Sequence, residues 1–138
     1  MNKIDPKLIV GSWKLSLISK DGVLMDLSSL KKTKSGNTYV ASNTHVVLNS
    51  DSTGTAYATG NNGNTLTQNV QWYYYQIDST QSGIFIKNLG PDPDDFLTVH
   101  MGKYTSSSFE ISELTQNRLA LKRISINPPS LLQVTLVR

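Results

Sequence analysis

Large apolar residues alternate with polar ones in short runs along most of the chain. Trp13, Leu15 and Leu17 alternate with Lys14 and Ser16, the period-two pattern of a strand with one buried face. The spacing predicts a first strand over about residues 11–19, ended by the turn pair Asp21-Gly22. Thr44 to Leu48 and Thr55 to Thr59 predict a hairpin around Asn49-Ser50-Asp51-Ser52-Thr53-Gly54, with Gly54 available for a positive φ. Gly60-Asn61-Asn62-Gly63-Asn64 is a second turn signal. The longest candidate strand follows, Thr65 to Ile77, with Leu66, Val70, Trp72 and Tyr74 sharing one face.

Alternation continues through Ile84 and Ile86, then Leu97, Val99 and Met101, then Phe109 and Ile111, and then Leu119 and Leu121. Leu132, Val134 and Leu136 mark the last strand. Gly90-Pro91-Asp92-Pro93-Asp94-Asp95 reads as a loop, because two prolines cannot donate to a ladder. At Lys122-Arg123 the alternation slips, with Ile124 and Ile126 on the opposite phase, which predicts a bulge. Val23 to Lys34 fits a strand through Val23, Met25 and Leu27, or a short helix through Leu24, Leu27 and Leu30-Lys31. No long helix and no internal repeat is legible. The short connections favour hairpin-linked antiparallel neighbours over parallel crossovers. The fold class is therefore all-β, an antiparallel up-and-down barrel of about eight strands. Such a barrel has an interior filled by side chains or by a ligand.

Composition narrows the function classes. The chain has 138 residues, the size of one domain, residues 1–138, with residues 1–8 as a lead-in. Charged residues are 17% and hydrophobic residues 38%, with Ser, Thr and Asn filling the difference, as suits an extracytoplasmic β protein. There is no cysteine, which removes disulfides and thiolate chemistry. The net charge is +3, and between Ser35 and Pro91 the only charged side chains are Asp51, Asp78 and Lys87. That distribution argues against a nucleic-acid partner even though Trp72, Tyr73, Tyr74 and Tyr75 form a dense aromatic set. No apolar run reaches the ~20 residues of a membrane span. Ile4-Asp5-Pro6-Lys7 interrupts any signal-peptide pattern after Met1. The expected location is extracytoplasmic, periplasm or cell surface, for a chain that starts after a removed export signal and tether. A cytoplasmic location is the alternative.

Gly11-Ser12-Trp13 opens the first strand of this all-β chain. Gly-x-Trp at that place resembles the short signature of lipocalins and their calycin relatives. The Asp21-Gly22 turn, the hairpin ending Asp51-Ser52-Thr53-Gly54-Thr55, and the central Gln71-Trp72-Tyr73-Tyr74 extend the likeness to small exported bacterial lipocalin-like domains. So does the late stretch from Phe109-Glu110-Ile111 through Leu114-Thr115 to Leu119-Ala120-Leu121. The chain departs from full lipocalins in its length and in its lack of cysteines. The resemblance implies that Trp13 plugs the closed end of the barrel and that a basic side chain of the final strand packs across it. Arg138 is in phase with Leu132, Val134 and Leu136 and can fill that role, with Arg123 as the competitor. A guanidinium over an indole contributes about 0.5–2 kcal/mol.

The expected function is a non-enzymatic module that holds a small apolar or amphipathic molecule in the barrel interior. Candidate ligand-binding residues are Trp72, Tyr74, Tyr57, Leu27 and Leu30, and Gly11, Trp13 and Arg138 are the barrel-closing set. Trp72 and Tyr74 fit core filling as well as a pocket wall. Val23 to Asn43 is the expected rim or lid of the mouth, with Lys31, Lys32 and Lys34 facing an anionic head group. The first alternative is a filled barrel acting through its loops, as an envelope protein or inhibitor scaffold. The second is a small barrel enzyme using His45 or His100, although nothing marks one serine as a nucleophile beside them. No cofactor is expected and no metal site, since Asp92, Asp94 and Asp95 suit a solvated turn and lack a closing Glu. The oligomeric state is left open by the Asn127-Pro128-Pro129 break before the last strand.

Overall fold

A computed structural model of the chain describes residues 5–29, 31–34, 36–88, 106–126 and 129–138. Its strands are β1 (Gly11–Lys20), β2 (Val23–Leu24), β3 (Lys31–Lys34), β4 (Asn37–Val40), β5 (Thr44–Leu48) and β6 (Thr53–Thr59). Then follow β7 (Thr65–Gln76), β8 (Ser82–Asn88), β9 (Ser106–Leu114), β10 (Arg118–Ile126) and β11 (Pro129–Val137). Short 3-10 turns occupy Pro6–Ile9 and Ala41–Asn43. The main sheet runs β11-β10-β9-β8-β7-β6-β5-β1-β2, and β11 also pairs with β1. Apart from the two-residue β2, the strands of this sheet close on themselves as an antiparallel eight-stranded barrel. Closure removes the edge strands that an open sheet would leave to aggregate.

The alternation in sequence becomes the wall of the barrel. Trp13, Leu15, Val46, Leu48, Val70 and Phe109 join one buried cluster, each 2% exposed or less. Ile84 and Ile86 join it from β8. Leu66, Val70, Trp72 and Tyr74 share the inward face of β7, with Gln68 between them.

Local irregularities depart from the simple pattern. The register between β1 and β11 shifts between Leu15 and Leu17. Ser16 is the extra residue, so the buried position after it is Ile18 and Leu17 is only half-buried. The late bulge lies on β9 instead of at Lys122-Arg123. Leu119 and Ala120 pair with Leu114 and Glu113, then Leu121 pairs with Ile111. Ser112 is therefore the extra residue, and its Oγ donates to the Ala120 carbonyl at 3.1 Å. β10 keeps one phase against β11 throughout. Arg123 consequently follows Leu119 and Leu121 on the inward phase, while Ile124 faces out and is 68% exposed.

The β5–β6 hairpin forms with Val47 opposite Thr55 and Leu48 opposite Gly54. Its positive φ belongs to Ser52 (71°) and not to Gly54. Gly54 is required by close approach instead. A Cβ there would run into the Val47 carbonyl oxygen and meet Val70 Cγ2 at 3.1 Å.

Candidate functional site

The two ends of the barrel are built differently. Gly11 pairs with Leu48, so the β5–β6 turn lies at the Gly11 end. Antiparallel alternation puts the β7–β8 and β9–β10 turns at that end too. The β1–β5 connection and the β6–β7 turn lie at the other.

At the Gly11 end the Pro6–Ile9 turn crosses under the strands. Asp5 caps it by accepting from Lys7 N at 3.0 Å. Ile9 is fully buried, and its carbonyl accepts from Trp13 Nε1 at 2.8 Å. Trp13 is thereby 1% exposed with its one polar atom satisfied. The Arg138 guanidinium lies 4.1 Å from the Trp13 ring centroid. Its Nε donates to the Gln116 carbonyl at 2.6 Å, and its Nη2 donates to the carbonyls of Val10 (3.1 Å) and Leu8. One side chain thus ties the lead-in, the β9–β10 turn and the indole together. Gly11 makes the room: its φ is +138°, and a Cβ there would collide with Arg138 Nη1. Arg138, rather than Arg123, is the partner of Trp13. Arg123 lies on β10 with its guanidinium carbon 5.9 Å from the Phe109 ring centroid.

At the opposite end the β1–β5 connection leaves β1, passes β5 and docks on the β6–β7 turn. Met25 and Leu27 turn in and pack on the core, while Val23 and Leu24 are 68% and 66% exposed. β3 and β4 then pair as a hairpin with Lys34 opposite Asn37. Asn37 is 1% exposed, and both ends of its amide are used. Oδ1 accepts from Asn62 N at 3.0 Å and Nδ2 donates to the Asn64 carbonyl at 3.3 Å. Thr38 N donates to Asn61 Oδ1 and Asn61 N donates to the Thr38 carbonyl, each at 3.0 Å. Gly60 admits this contact, because a Cβ there would strike the Asn37 amide. Tyr39 covers Ala58 beside Leu66. The hairpin is therefore latched to the rim.

Beneath it, Thr44 and Gln68 sit at inward positions, 1% and 7% exposed. Among the described residues, the Thr44 hydroxyl here and the Ser82 hydroxyl at the start of β8 are buried without a hydrogen-bond partner. Among the described residues no three His, Asp or Glu side chains gather as a metal-binding group, and no helix is long and apolar enough to cross a membrane. His45 lies on the outer face, stacked on Tyr57 at 5.0 Å with its Nδ1 3.2 Å from the Asn43 carbonyl oxygen.

The residues singled out from the sequence separate into groups. Trp72 is buried on the inward face, but its Nε1 donates to the Asn49 carbonyl at 2.9 Å and its N to Ser52 O at 2.9 Å. Both acceptors lie in the β5–β6 turn, so Trp72 belongs to the Gly11 end, in one cluster with Trp13, and not to the end that the β3–β4 hairpin spans. Tyr74 lies further along β7 toward the same end, its hydroxyl donating to Gln76 Oε1 at 2.8 Å. Tyr57 faces outward, since the inward side of β6 is Gly54, Ala56 and Ala58. Leu27 packs inward from the connection. Leu30, His100, the 90–95 loop and the strand expected at 97–101 lie outside the described residues. Asn37 and Tyr39, which shape this end, were not singled out by sequence reasoning, and Gly60 was read only as part of a turn. The signal for the first two is the Asn-Thr-Tyr-Val alternation after Ser35-Gly36.

The structure of a lipocalin-like protein from Bacteroides uniformis ATCC 8492 is similar over 95% of this chain and 98% of its own, with a TM-score of 0.60 and 11% identity. The fold is lipocalin-like. A structure of an uncharacterized protein from Bacteroides eggerthii DSM 20697 is similar over 94% of this lipocalin-like chain and 98% of its own, with a TM-score of 0.53 and 18% identity. No family model matches the sequence, and no curated protein matches it. At these identities the likeness is one of fold, and the barrel's function has to be argued from its own residues.

Proposed function

We propose that this lipocalin-like barrel is a non-enzymatic binding module. It holds a small apolar or amphipathic molecule in its interior, entered at the end that the β3–β4 hairpin spans. The observation that carries this is the asymmetry of the ends. One end is sealed by Trp13, Ile9 and Arg138 with their polar atoms paired. The other is covered by a separate hairpin held through one amide side chain and one turn. The unpaired Thr44 hydroxyl under that hairpin supports a ligand with a polar end and an apolar body. The Ser-, Thr- and Asn-rich composition supports an extracytoplasmic setting, which fractionation of the native host tests.

Native mass spectrometry of the protein purified from its natural host tests the binding function. A co-purified small molecule is expected, and N-phenyl-1-naphthylamine should bind one to one after delipidation. A bare chain that takes up no such probe sinks the proposal. The packed cluster reaching from Trp13 to Phe109 favours a second function, a filled barrel acting through its loops. A crystal structure with no ligand-sized interior volume would select it.

A further inference from the structure

The outer face carries a groove that interior binding does not use. Along one row of the ladder Tyr75 pairs with Gly83, Gly83 with Glu110, and Glu110 with Lys122. Gly83 has no side chain, and Tyr75 lies across it. A Cβ built there would fall nearly equally close to Tyr75 Cζ, Oη and Cε2. A point in the ring plane beside Cζ would lie nearer Oη than Cζ. The ring therefore lies face-down on the sheet, with its other face outward. Its hydroxyl is tethered to Ser108 Oγ at 2.5 Å, so the ring is fixed before anything binds. Tyr75, Ile77, Ser108, Glu110, Lys122 and Ile124, together with Arg123 and Phe109 of the inward phase, bound a shallow groove of about 240 Å³. Ile77 and Ile124 are 48% and 68% exposed. Lys122 Nζ and Glu110 Oε2 form an ion pair at 2.8 Å within it.

From this geometry we infer a second binding site, one that takes a neutral saccharide ring. A sugar ring has an apolar C–H face that suits a flat aromatic surface, and a rim of hydroxyls that donate to a carboxylate and accept from an ammonium. Other ligand classes fit less well. A wholly apolar molecule would cover the Glu110–Lys122 pair without replacing its hydration. A nucleic acid or phosphorylated ligand needs uncompensated cations, whereas Lys122 is matched by Glu110 and Arg123 is engaged, with its guanidinium over the Phe109 ring. The groove is small against the 300–1,000 Å³ or so of drug-sized sites, which suits one ring of a longer chain.

Amide chemical-shift mapping with maltohexaose, cellohexaose and mannohexaose, each at about 5 mM in keeping with weak binding, tests the site. At least one sugar should shift residues 73–77, 83–85, 108–110 and 122–124 while leaving the β3–β4 hairpin unmoved. Tyr75→Phe, which keeps the ring, should bind within about threefold of wild type, and Tyr75→Ala should lose about tenfold or more. Removing the ring uncovers Gly83, so Glu110→Gln serves as the second variant. It should melt like wild type and weaken binding about fivefold through loss of the charged acceptor. No shifts with any of the three sugars, shifts elsewhere, or wild-type affinity in both Tyr75→Ala and Glu110→Gln would overturn the site. So would shifts of the same residues that grow with protein concentration in sugar-free buffer, which would assign the groove to a second copy.

Discussion

Replacing Arg138 by Ala should cost more than its surface position suggests. Its guanidinium stacks 4.1 Å from the Trp13 ring centroid, a contact of about 0.5–2 kcal/mol. It also donates to the carbonyls of Gln116, Val10 and Leu8. Each charged hydrogen bond is worth about 1.5–3 kcal/mol where water is excluded. Arg138 is exposed, so water recovers much of that, and the carbonyls together retain about 1–2 kcal/mol. The sum is about 3 kcal/mol for Arg138→Ala. Arg138→Lys keeps the charge but not the planar fork, and should cost about half as much. With a urea slope of about 2 kcal/mol/M, Arg138→Ala lowers the midpoint by about 1.5 M. Equilibrium unfolding in urea, followed by circular dichroism, measures this. In a Trp72→Phe background the emission of Trp13 should also shift to the red as its ring is uncovered. An Arg138→Ala loss below about 0.5 kcal/mol, or a Lys variant as stable as wild type, would refute the stitched plug.

Gly11→Ala should destabilise by about 2–3 kcal/mol, and the double variant with Arg138→Ala should fall short of additivity by about 1 kcal/mol or more in a urea double-mutant cycle; full additivity would mean that the φ of +138° alone matters. Hydrogen bonds from Ser28, Thr53 and Thr80 hold the carboxyls of Asp26, Asp51 and Asp78 below the ordinary carboxylate value. A carboxyl lowered on folding adds stability that is full above its unfolded pKa and lost as pH falls through its folded one. Asp51→Asn combined with Asp78→Asn should therefore lower stability at neutral pH and converge on wild type as pH falls below the ordinary carboxylate value, as urea unfolding across pH would show. Tyr57→Ala should leave naphthylamine uptake unchanged, because the side chain stacks on His45 outside the barrel; a lost signal with an intact fold would contradict its placement. Asn37→Ala should speed hydrogen exchange in residues 36–40 while leaving β10 protected, and equal protection in both proteins would show that the amide is no latch.

Period-two alternation gave most strands and their inward faces, because which face a residue takes depends only on its immediate neighbours. Gly11-Ser12-Trp13 and the phase of Arg138 point to one end of the barrel, where the Arg138 guanidinium lies over the Trp13 ring and against Gly11. Which end a residue occupies depends on counting turns around the barrel. Alternation therefore puts Trp72 on the inward face but does not tell its end, which its bond to the Asn49 carbonyl fixes. Bulges are set by the partner strand, so the shift at Ser16 is invisible within β1, and the one near β10 belongs to Ser112 across the ladder. Residue size misled at Tyr57, since the inward side of β6 takes only Gly54, Ala56 and Ala58. β3 reads Lys-Lys-Thr-Lys and only Tyr39 and Val40 of β4 are apolar, so their pairing left little hydrophobic signature.

The central claim is that ligand enters where the hairpin is latched to the β6–β7 turn. The chain contains no cysteine, so Thr38→Cys with Asn61→Cys introduces one unambiguous disulfide across the contact where Asn61 N meets the Thr38 carbonyl at 3.0 Å. Stopped-flow uptake of N-phenyl-1-naphthylamine by the oxidised and reduced forms, with bond formation confirmed by mass, measures entry directly. Uptake slowed by about tenfold or more on oxidation, and restored by reductant, is the predicted result. Equal rates in the two forms, or no uptake by either form or by wild type, would contradict it.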